Sequence, residues 1–481
     1  MLYNIGVTTD IIVYEEIIMA ETITAISTAL GEGGIGIVRV SGPSSKDVMR
    51  KLMNNTNENI EARHAYLGKV YNSDNSVIDE AIFIYFASPA SYTGEDMLEI
   101  QAHGSNTSLK EILKRVLDCG VKDIRMAEPG EFTKLAFMNG KMDLSQAEAV
   151  IDIIKAKTDL SLEIAEGQRE GRLGAAINEI RENLLNVLAE MAVNIDYPDE
   201  DIEQYEYDGL INKLRWVLSD VDQLLDTASI GRIAREGIKI AIVGKPNVGK
   251  SSLMNALLGE GRVIVTDIPG TTRDTVEESA SFGGIPIVLV DTAGLRETDD
   301  KVEKIGIQRT EHAIAAADMI MLVIDGSKDI EDEDDEILNY LGKINGDSII
   351  VVINKSDLGN KIDENKVIEK MPGATVVTTS LVGKDAIESA RKVSEVIGNK
   401  INIGYIKSGD NNIVSNERHI KMLKNADMNL NEAIEMLQNG DPIEVAELSA
   451  RYAYDNLGQI IGEDVGEDVI NAVFSKFCLG K

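Results

Sequence analysis

The chain is poor in cysteine, in positive charge and in long apolar segments. Two cysteines, Cys119 and Cys478, occur in 481 residues, so a disulfide framework is excluded and nothing indicates an oxidising compartment. The sequence has no run of about 18 apolar residues, which excludes a membrane-spanning helix. The acidic start, Met1–Ile18, has no basic n-region and does not fit a secretory signal. We therefore expect a cytoplasmic protein without a membrane partner, in which residues 1–18 form an N-terminal extension.

The shortage of basic residues limits how this protein can contact nucleic acid. Its 48 lysines and arginines stand against 81 aspartates and glutamates, a formal net charge of −33. Such a surface opposes broad, direct contact with a polyanion. A heavily solvated surface is the simplest interpretation. If RNA is the substrate, a small basic patch or a partner protein must hold much of it.

Hydrophobic patterning divides the chain into segments of different fold class. Residues 19–138 alternate short β-rich runs with helical stretches, as an α+β domain does. Residues 139–233 and 398–481 carry the 3.6-residue period of amphipathic helices. Between them, residues 234–397 alternate continuous Val/Ile runs with helices, a pattern typical of parallel strands buried on both faces. We predict a multidomain protein in which an α/β domain is inserted into a discontinuous all-α domain.

A phosphate-binding loop opens the α/β segment. The run GKPNVGKS, from Gly244 to Ser251, fits the pattern G-x-x-x-x-G-K-[ST] and lies between a predicted strand and a predicted helix. Glycines allow backbone N–H groups to wrap phosphates, and the helix N-terminus adds positive potential. We expect Lys250 to neutralise the β- and γ-phosphates and Ser251 to ligate Mg²⁺.

Three further motifs end successive predicted strands. The run DTAG, Asp291–Gly294, provides a carboxylate that would reach Mg²⁺ through water and an N–H at Gly294 that would sense the γ-phosphate. The run NKSD, Asn354–Asp357, fits the guanine-reading pattern N-K-x-D, in which a carboxylate accepts hydrogen bonds from guanine N1–H and N2–H₂. Ser380-Leu381 stands where a Ser-Ala dipeptide usually closes the base pocket. These motifs, in this order, predict GTP as the ligand.

The segment between the phosphate loop and DTAG resembles a first switch. Thr271-Thr272-Arg273-Asp274 occupies it, with Thr272 as the natural second Mg²⁺ ligand. Leu295 follows DTAG, where Ras-like GTPases carry a glutamine that orients the attacking water. An alkyl side chain cannot do this by hydrogen bonding. Either hydrolysis is slow or another group, in the downstream segment ETDDKVEK, orients the water.

Three stretches outside the nucleotide motifs narrow the interpretation. They are GGIGIVRVSG (residues 33–42), EPGEFTKLAFMNGKMDLSQAEAV (128–150) and the C-terminal FCLGK (477–481). With the GTPase motifs in this order, they resemble the MnmE/TrmE family of tRNA modification GTPases over residues 20–481. The resemblance implies a folate-binding-like fold for the α+β domain and a Ras-like fold for the inserted G domain. Leu135 departs from the arginine that the family commonly has.

The resemblance also implies partners and an activity. It implies a homodimer formed through the N-terminal domains, and a heterotetramer with an MnmG-type protein that carries FAD and NAD(H). The complex would install a carboxymethylaminomethyl-type group at C5 of wobble uridine 34 of tRNA. It implies a 5-formyl-tetrahydrofolate site that contains Arg39, Glu99, Lys141 and the terminal Lys481. A lone cysteine is more often a small buried hydrophobe than a nucleophile, but the FCLGK match assigns Cys478 a catalytic role.

For GTP hydrolysis, the resemblance assigns Glu303 the task of orienting the attacking water. It assigns a K⁺ ion, held by Asn247, Thr266, Ile268 and Thr271, the charge-neutralising role of an arginine finger. The residues then predicted to contact GTP are Asn247, Val248, Gly249, Lys250, Ser251, Ser252, Thr266, Asp267, Ile268, Pro269, Gly270, Thr271, Asp291, Thr292, Ala293, Gly294, Asn354, Lys355, Asp357, Ser380 and Leu381.

Two alternatives remain open. A regulatory GTPase of the Era or Der type, which binds RNA without modifying it, would share every G-domain motif. It would leave FCLGK and residues 128–150 unexplained, and it would need a basic RNA-binding domain that this acidic chain lacks. A folate-binding transferase with an accessory switch would differ only in which domain holds the chemistry. The match of Gly31–Gly36 to G-x-G-x-x-G precedes a strand-like run, which disfavours dinucleotide binding.

Overall fold

The structure is a computed structural model that describes residues 21–29, 31–54, 59–196, 204–260, 262–263, 277–282, 285–291, 314–400 and 412–481. It divides into two compact units, one of residues 1–143 with 465–481 and one of residues 144–464. No helix in the described ranges has the length and apolar character needed to cross a membrane.

The first unit contains a six-stranded, largely antiparallel sheet in the order β3-β4-β5-β2-β1-β6. Its last pair, β1 and β6, is parallel. The strands are β1 (Thr22–Ile26), β2 (Gly33–Ser41), β3 (Ala65–Tyr71), β4 (Val77–Phe86), β5 (Met97–Gly104) and β6 (Ile124–Met126). The apolar runs that the sequence predicts as strands lie in β1, β2, β4 and β5, which confirms the α+β prediction for this part of the chain.

Alternation along the strands gives this sheet two different faces. One side carries the apolar side chains of the core, such as Val38 and Val40 of β2 and Leu98 and Ile100 of β5. Helices α1 (Ser45–Leu52) and α2 (Asn106–Leu117) pack on that side, where their buried residues join the same core. On the other face, β1 is covered by α3 (Glu131–Met138), whose Phe132 packs with Ile23 and Ala25. Strands β2 to β5 leave exposed side chains on this second face.

Residues 465–481 also belong to the first unit, although the sequence-based division groups them with the second helical segment. Their helix, Glu467–Phe474, lies against α3, where Phe474 contacts Phe137 at 6.3 Å between ring centroids. Gly130 precedes α3 with φ +74°, and a Cβ there would lie 2.5 Å from the carbonyl oxygen of Phe474. A glycine is therefore required for this approach.

The second unit begins with five helices. They are α4 (Leu144–Lys155), α5 (Asp159–Arg169), α6 (Arg172–Asp196), α7 (Gln204–Asp226) and α8 (Ala228–Glu236). These helices confirm the helical period predicted within residues 139–233. At the start of α5, the hydroxyl of Thr158 accepts a hydrogen bond from Ser161 N, a side-chain cap that satisfies an otherwise unpaired donor.

The chain then forms a seven-stranded sheet in the order β13-β12-β11-β7-β10-β9-β8. The strands are β7 (Ile238–Val243), β8 (Arg262–Val263), β9 (Glu277–Phe282), β10 (Ile285–Asp291), β11 (Met319–Asp325), β12 (Ile349–Asn354) and β13 (Thr375–Thr378). The pairs from β13 through β10 are parallel, and β9 is antiparallel to both β10 and β8. The Val/Ile runs therefore form parallel strands as predicted, whereas the antiparallel edge was not predicted.

Both faces of this sheet are covered. Alternate residues of β7 pack into different cores, Ile240 and Ile242 into one and Ala241 and Val243 into the other. The associated helices are α9 (Lys250–Glu260), α10 (Asp332–Leu341), α11 (Glu364–Lys370) and α12 (Asp385–Lys400). Short 3₁₀ helices occur at Gly346–Ser348 and Ser356–Leu358.

After the sheet, α13 (Glu417–Asn439) and α14 (Ile443–Ile461) return to the helical part of the unit. One apolar core contains residues from α6 and α7, such as Leu184 and Leu214, together with Leu430 of α13 and Leu457 of α14. Helices that precede and follow the α/β segment therefore share a core. The chain thus has three regions: an N-terminal domain, a helical domain and a P-loop domain.

Candidate functional site

The nucleotide motifs meet at one edge of the seven-stranded sheet. The phosphate loop follows β7, and Asp291, Asp325 and Asn354 are the last residues of β10, β11 and β12. These strands are parallel, so their carboxyl ends lie at the same edge. This edge is the usual ligand position in open parallel sheets.

The phosphate loop has a backbone that requires its glycines. Gly244 has φ +142°, and a Cβ there would lie 2.3 Å from the carbonyl oxygen of Val323. Gly249 has φ +109°, and its Cβ would lie 2.1 Å from Asn354 Nδ2. Asn247 adopts φ +64° without being a glycine, a conformation that asparagine tolerates better than most residues. The observed backbone of the loop therefore requires glycine at positions 244 and 249.

Lys250 lies where the loop becomes α9. It is buried, and its Nζ donates to the carbonyl oxygens of Gly244 and Lys245, both at 2.7 Å. Asn247, Ser251 and Ser252 are exposed around it. An ammonium, a helix N-terminus and exposed hydroxyls form a donor set that fits a phosphate chain with Mg²⁺.

The guanine-reading segment is joined directly to the phosphate loop. The buried Asn354 donates from Nδ2 to the carbonyl oxygen of Val248 at 2.8 Å, and its Oδ1 accepts from Thr379 Oγ1 at 3.3 Å. Asp357 Oδ1 accepts from Ser380 Oγ at 3.0 Å. Leu381, which follows Ser380, packs against the core of the sheet. The structure therefore brings together the predicted residues of both motifs.

Asp325 is a residue of this site that the sequence analysis did not indicate. Its partner Lys355 has φ +65°, and Lys355 Nζ lies 2.7 Å from Asp325 Oδ2. Burial alone would raise the pKa of Asp325, but Lys355 and Ser327 lower it below its ordinary value. Asp325 ends the run MIMLVID, so a carboxylate at the end of a predicted parallel strand was the available signal. Glu331 and Asp334, which contact the phosphate loop through Lys245, carry no comparable signal in the sequence.

Several predicted residues lie outside the described part of the chain. These are the switch residues Thr266, Asp267, Ile268, Pro269, Gly270, Thr271 and Thr272, the DTAG residues Thr292, Ala293 and Gly294, and Glu303. The backbone of Asp291 is described, in register with Ile242 of β7. Among the residues that are described, no group of three or more His, Cys, Asp or Glu side chains could hold a metal ion. The predicted Mg²⁺ and K⁺ ligand sets remain predictions.

A second group of predicted residues lies in the N-terminal domain. Arg39 of β2 and Glu99 of β5 are direct neighbours in register. Arg39 Nε and Nη2 donate to Glu99 Oε1 at 3.2 and 2.9 Å. The guanidinium also lies 5.4 Å from the ring centroid of Tyr92 and 5.7 Å from that of Phe132. The two predicted folate contacts therefore form a paired, partly buried site with aromatic walls.

A carboxyl group that the sequence did not single out lies beside this pair. Ser41, two residues after Arg39 on the same face of β2, donates to Glu95 Oε2 at 3.0 Å. Burial raises the pKa of Glu95 above its ordinary value; the hydrogen bond from Ser41 opposes this, and the nearby Glu131 and Asp96 add smaller increases. Lys141, another predicted contact, donates from Nζ to the carbonyl oxygen of Pro89 at 3.0 Å.

The C-terminal residues reach the same sheet. Gly480 has φ +88°, and a Cβ there would lie 2.2 Å from the carbonyl oxygen of Ile26, at the end of β1. Lys481 N donates to the carbonyl oxygen of Cys478 at 3.4 Å, and Cys478 is exposed. Because Ile26 pairs with Val38, the tail lies beside the strand that carries Arg39.

A P-loop and a guanine-reading motif at the carboxyl edge of a parallel sheet define a P-loop GTPase domain. Two family models match the chain, "GTP-binding protein TrmE N-terminus" at residues 22–141 and "MnmE helical domain" at residues 144–478. The chain belongs to the MnmE/TrmE family of tRNA modification GTPases. This confirms the resemblance found in the sequence.

Individual relatives agree over almost the full length. The tRNA modification GTPase MnmE of Clostridioides difficile (strain 630) is 43% identical over 465 residues, 96% of this chain and 99% of that protein. The MnmE of Bacillus thuringiensis (strain Al Hakam) is 43% identical over 464 residues, with the same coverage. Among solved structures, the G domain of the T. maritima FeoB iron transporter is 29% identical, covering 34% of this chain and 99% of that one, with a TM-score of 0.26.

Proposed function

We propose that this protein binds GTP at the carboxyl edge of its parallel sheet and hydrolyses it in support of tRNA modification. The hydrogen bond from Asn354 to the carbonyl oxygen of Val248 carries the nucleotide part of the proposal, because it joins the guanine-reading segment to the phosphate loop. The relatives, which are named tRNA modification GTPases, support the biological part.

Each of the predicted nucleotide contacts below has a defined role in this proposal. Lys250 exchanges its two carbonyl contacts for the β- and γ-phosphate oxygens, which are stronger partners for an ammonium. Ser251 supplies a hydroxyl to Mg²⁺, and Thr272 supplies a second one. Asp357 accepts hydrogen bonds from guanine N1–H and N2–H₂, while the hydroxyl of Ser380 donates to Asp357 Oδ1 and fixes the carboxylate. Leu381 closes the base pocket.

Charge neutralisation and water orientation complete the hydrolysis step. We assign water orientation to Glu303, since Leu295 cannot perform it. We assign neutralisation of the developing phosphate charge to a K⁺ ion held by Asn247, Thr266, Ile268 and Thr271. The exposed, positive-φ position of Asn247 in the phosphate loop supports this assignment, because an exposed side chain is accessible to an ion at the phosphates.

For the modification chemistry, we assign the N-terminal site to 5-formyl-tetrahydrofolate. The donor set fits: a guanidinium and lysine ammonium groups suit glutamyl or formyl oxygens, and Glu99 suits the amino-pterin edge. A reduced folate supplies a one-carbon unit when bound. The exposed Cys478, on a tail that lies against β1, is then the nucleophile.

The assembly that we propose is a homodimer through the N-terminal domains, in a heterotetramer with an MnmG-type FAD protein that uses NADH. The second face of the N-terminal sheet supports dimerisation. Leu67 and Ile82 are neighbours in register on it and are 72% and 39% exposed, and such surfaces mark interaction sites. The product is carboxymethylaminomethyl-type modification at C5 of uridine 34.

We interpret the G domain as an insertion, because helices on both sides of it share one core.

Mass spectrometry of tRNA nucleosides tests the proposal. Cells that lack the protein are expected to lose the modified wobble uridine, and the unmutated gene should restore it. Unchanged nucleosides, together with GTP hydrolysis by the purified protein, would favour a regulatory GTPase instead. Equal binding of ATP and GTP would contradict the nucleotide part.

A further inference from the structure

We infer that the connection between β11 and α10, residues 325–334, positions both halves of the nucleotide site. Its carboxylates belong to none of the sequence motifs. The inference rests on the proposed function, because it concerns how tightly the same site holds guanine nucleotides. The connection begins at Asp325, the last residue of β11, and ends at Asp334 in the first turn of α10.

At the phosphate end, two carboxylates hold the side chain of Lys245. Its Nζ lies 2.5 Å from Glu331 Oε2 and 2.7 Å from Asp334 Oδ2. Asp334 is buried, whereas the side chain of Glu331 is 57% exposed. Water screens the exposed carboxylate more strongly, so Asp334 is the principal partner. Burial alone would lower the pKa of Lys245, but these carboxylates raise it above its ordinary value, so this lysine is charged.

Lys245 passes this restraint to the phosphate loop through its backbone. Its carbonyl oxygen accepts from Lys250 Nζ at 2.7 Å, next to the carbonyl of Gly244. The side chain of Lys245 is therefore held by ion pairs at the start of α10, while its carbonyl oxygen helps to position Lys250. A loop that is already held in place loses less conformational freedom when a ligand binds.

At the guanine end, the same connection holds the N-K-S-D segment. Asp325 Oδ2 pairs with Lys355 at 2.7 Å, and its Oδ1 accepts from Ser327 N and Oγ at 3.1 and 2.7 Å. Gly326 N donates to the carbonyl oxygen of Asn354 at 2.7 Å. One stretch of ten residues thus contacts both sequence elements that recognise the nucleotide.

Asp334 also caps α10, and the experiment must separate this role from its ion pair with Lys245. Its Oδ2 also accepts from Glu331 N at 3.1 Å, which closes a capping box at the start of α10. Asp334→Asn retains a side-chain oxygen for this cap but removes the negative charge. Lys245→Met retains the aliphatic stem but removes the positive charge. Asp334→Asn therefore removes the pair with Lys245 alone, and Lys245→Met removes this pair together with the one to Glu331.

The test measures binding and release of a fluorescent GDP by the full-length protein, with steady-state GTP hydrolysis alongside. Lys245→Met and Asp334→Asn should each raise Kd by about fivefold, which corresponds to the loss of about 1 kcal/mol of binding free energy. The double variant should bind no more weakly than Lys245→Met, because that change already removes the pair with Asp334. In both variants the KM for GTP should rise by the same factor, while kcat stays within about twofold of its unmutated value. Lys245→Arg retains the positive charge and should bind GDP as tightly as the unmutated protein.

Lys370→Met is the matched control. It removes the neighbouring ion pair between α11 and Asp335 of α10, at 2.5 Å, and should leave GDP affinity unchanged. The inference is overturned if both single variants bind GDP within twofold of the unmutated protein, if their losses add, or if Lys245→Arg restores nothing. Should Lys245→Met fail to fold, Asp334→Asn and Lys245→Arg decide the question. Failure of the unmutated protein to bind GDP would instead refute the proposed function.

Discussion

Glu148 of α4 lies at the centre of a buried charge cluster, and replacing it should destabilise the helical domain. Its carboxylate accepts from Arg418 Nε at 3.0 Å and Nη2 at 2.7 Å, and its Oε2 lies 2.6 Å from His419 Nε2. Glu148 is 6% exposed and His419 is fully buried. Glu148→Gln keeps the shape of the side chain but leaves the Arg418 guanidinium without its counter-charge.

The expected loss is about 3–5 kcal/mol in the free energy of unfolding, the range for breaking a buried ion pair by removing one partner. Because Glu148 is almost fully buried, screening by water does not reduce this figure substantially. Urea unfolding of the full-length protein, followed by the helical signal in circular dichroism, measures the loss. Glu395→Gln, which removes an exposed i,i+4 pair with Arg391, is the control and should change stability by less than about 0.5 kcal/mol.

The pH dependence provides a second measurement. Burial alone would raise the pKa of Glu148, but His419 and Arg418 lower it well below its ordinary value. A carboxylate with a lowered folded pKa contributes its stability above the unfolded pKa, which is about 4.3, and loses it as pH falls towards the folded pKa. The difference between the unmutated protein and Glu148→Gln should therefore be constant near neutrality and shrink below about pH 4. A difference under about 0.5 kcal/mol, or one independent of pH in this range, would refute the reasoning.

The remaining predictions concern function. Asp357→Asn should shift preference from GTP to xanthosine triphosphate, because xanthine presents a carbonyl where guanine has its amine; competition binding measures this, and an unchanged preference for GTP would contradict it. Cys478→Ser should leave GTP hydrolysis nearly intact and abolish tRNA modification, so normal modified nucleosides in such a strain would make the cysteine structural. Glu303→Ala should lower kcat about 10²-fold or more with nucleotide affinity within a few-fold, and K⁺ should accelerate hydrolysis over Na⁺ at equal ionic strength; a normal rate in the variant, or equivalence of the two ions, would remove that assignment. Arg39→Ala should abolish the heat of 5-formyl-tetrahydrofolate binding to the full-length protein in calorimetry, and no heat from the unmutated protein would remove folate altogether.

Local patterns predicted where the phosphate loop lies between a strand and a helix, because the conformation of such a loop depends on short contiguous segments. Glycines at positions 244 and 249 occur where the loop has positive φ, and a helix follows directly at Lys250. The Val/Ile runs predicted buried parallel strands, and two of these strands end at a polar motif residue, β10 at Asp291 and β12 at Asn354. The antiparallel strand β9, EESASF, was not predicted, because its composition carries little apolar signal and its pairing with β10 depends on a hairpin.

Contacts between residues that are far apart in the sequence could not be predicted from local patterns. Lys245 and Asp334 are 89 positions apart, and their ion pair depends on where the connection after β11 places the start of α10. Arg39 and Glu99 are 60 positions apart, and a shift of one residue in the register of β2 with β5 would separate them. Residues 465–481 have helical periodicity that fits either unit, and the packing of Phe474 against α3 places them with the N-terminal domain.

The sequence by itself determined the ligand class, the order of the GTPase motifs and the family, because turn chemistry, strand burial and motif spacing are properties of short contiguous segments. The tertiary structure alone decided which charges meet. It paired Asp325 with Lys355 and Asp334 with Lys245, and it gathered Glu148, Arg418 and His419 into one buried cluster. Ion pairs of this kind depend on distances of a few ångströms between separate elements, and those distances exist only after the sheet register and the helix packing are established.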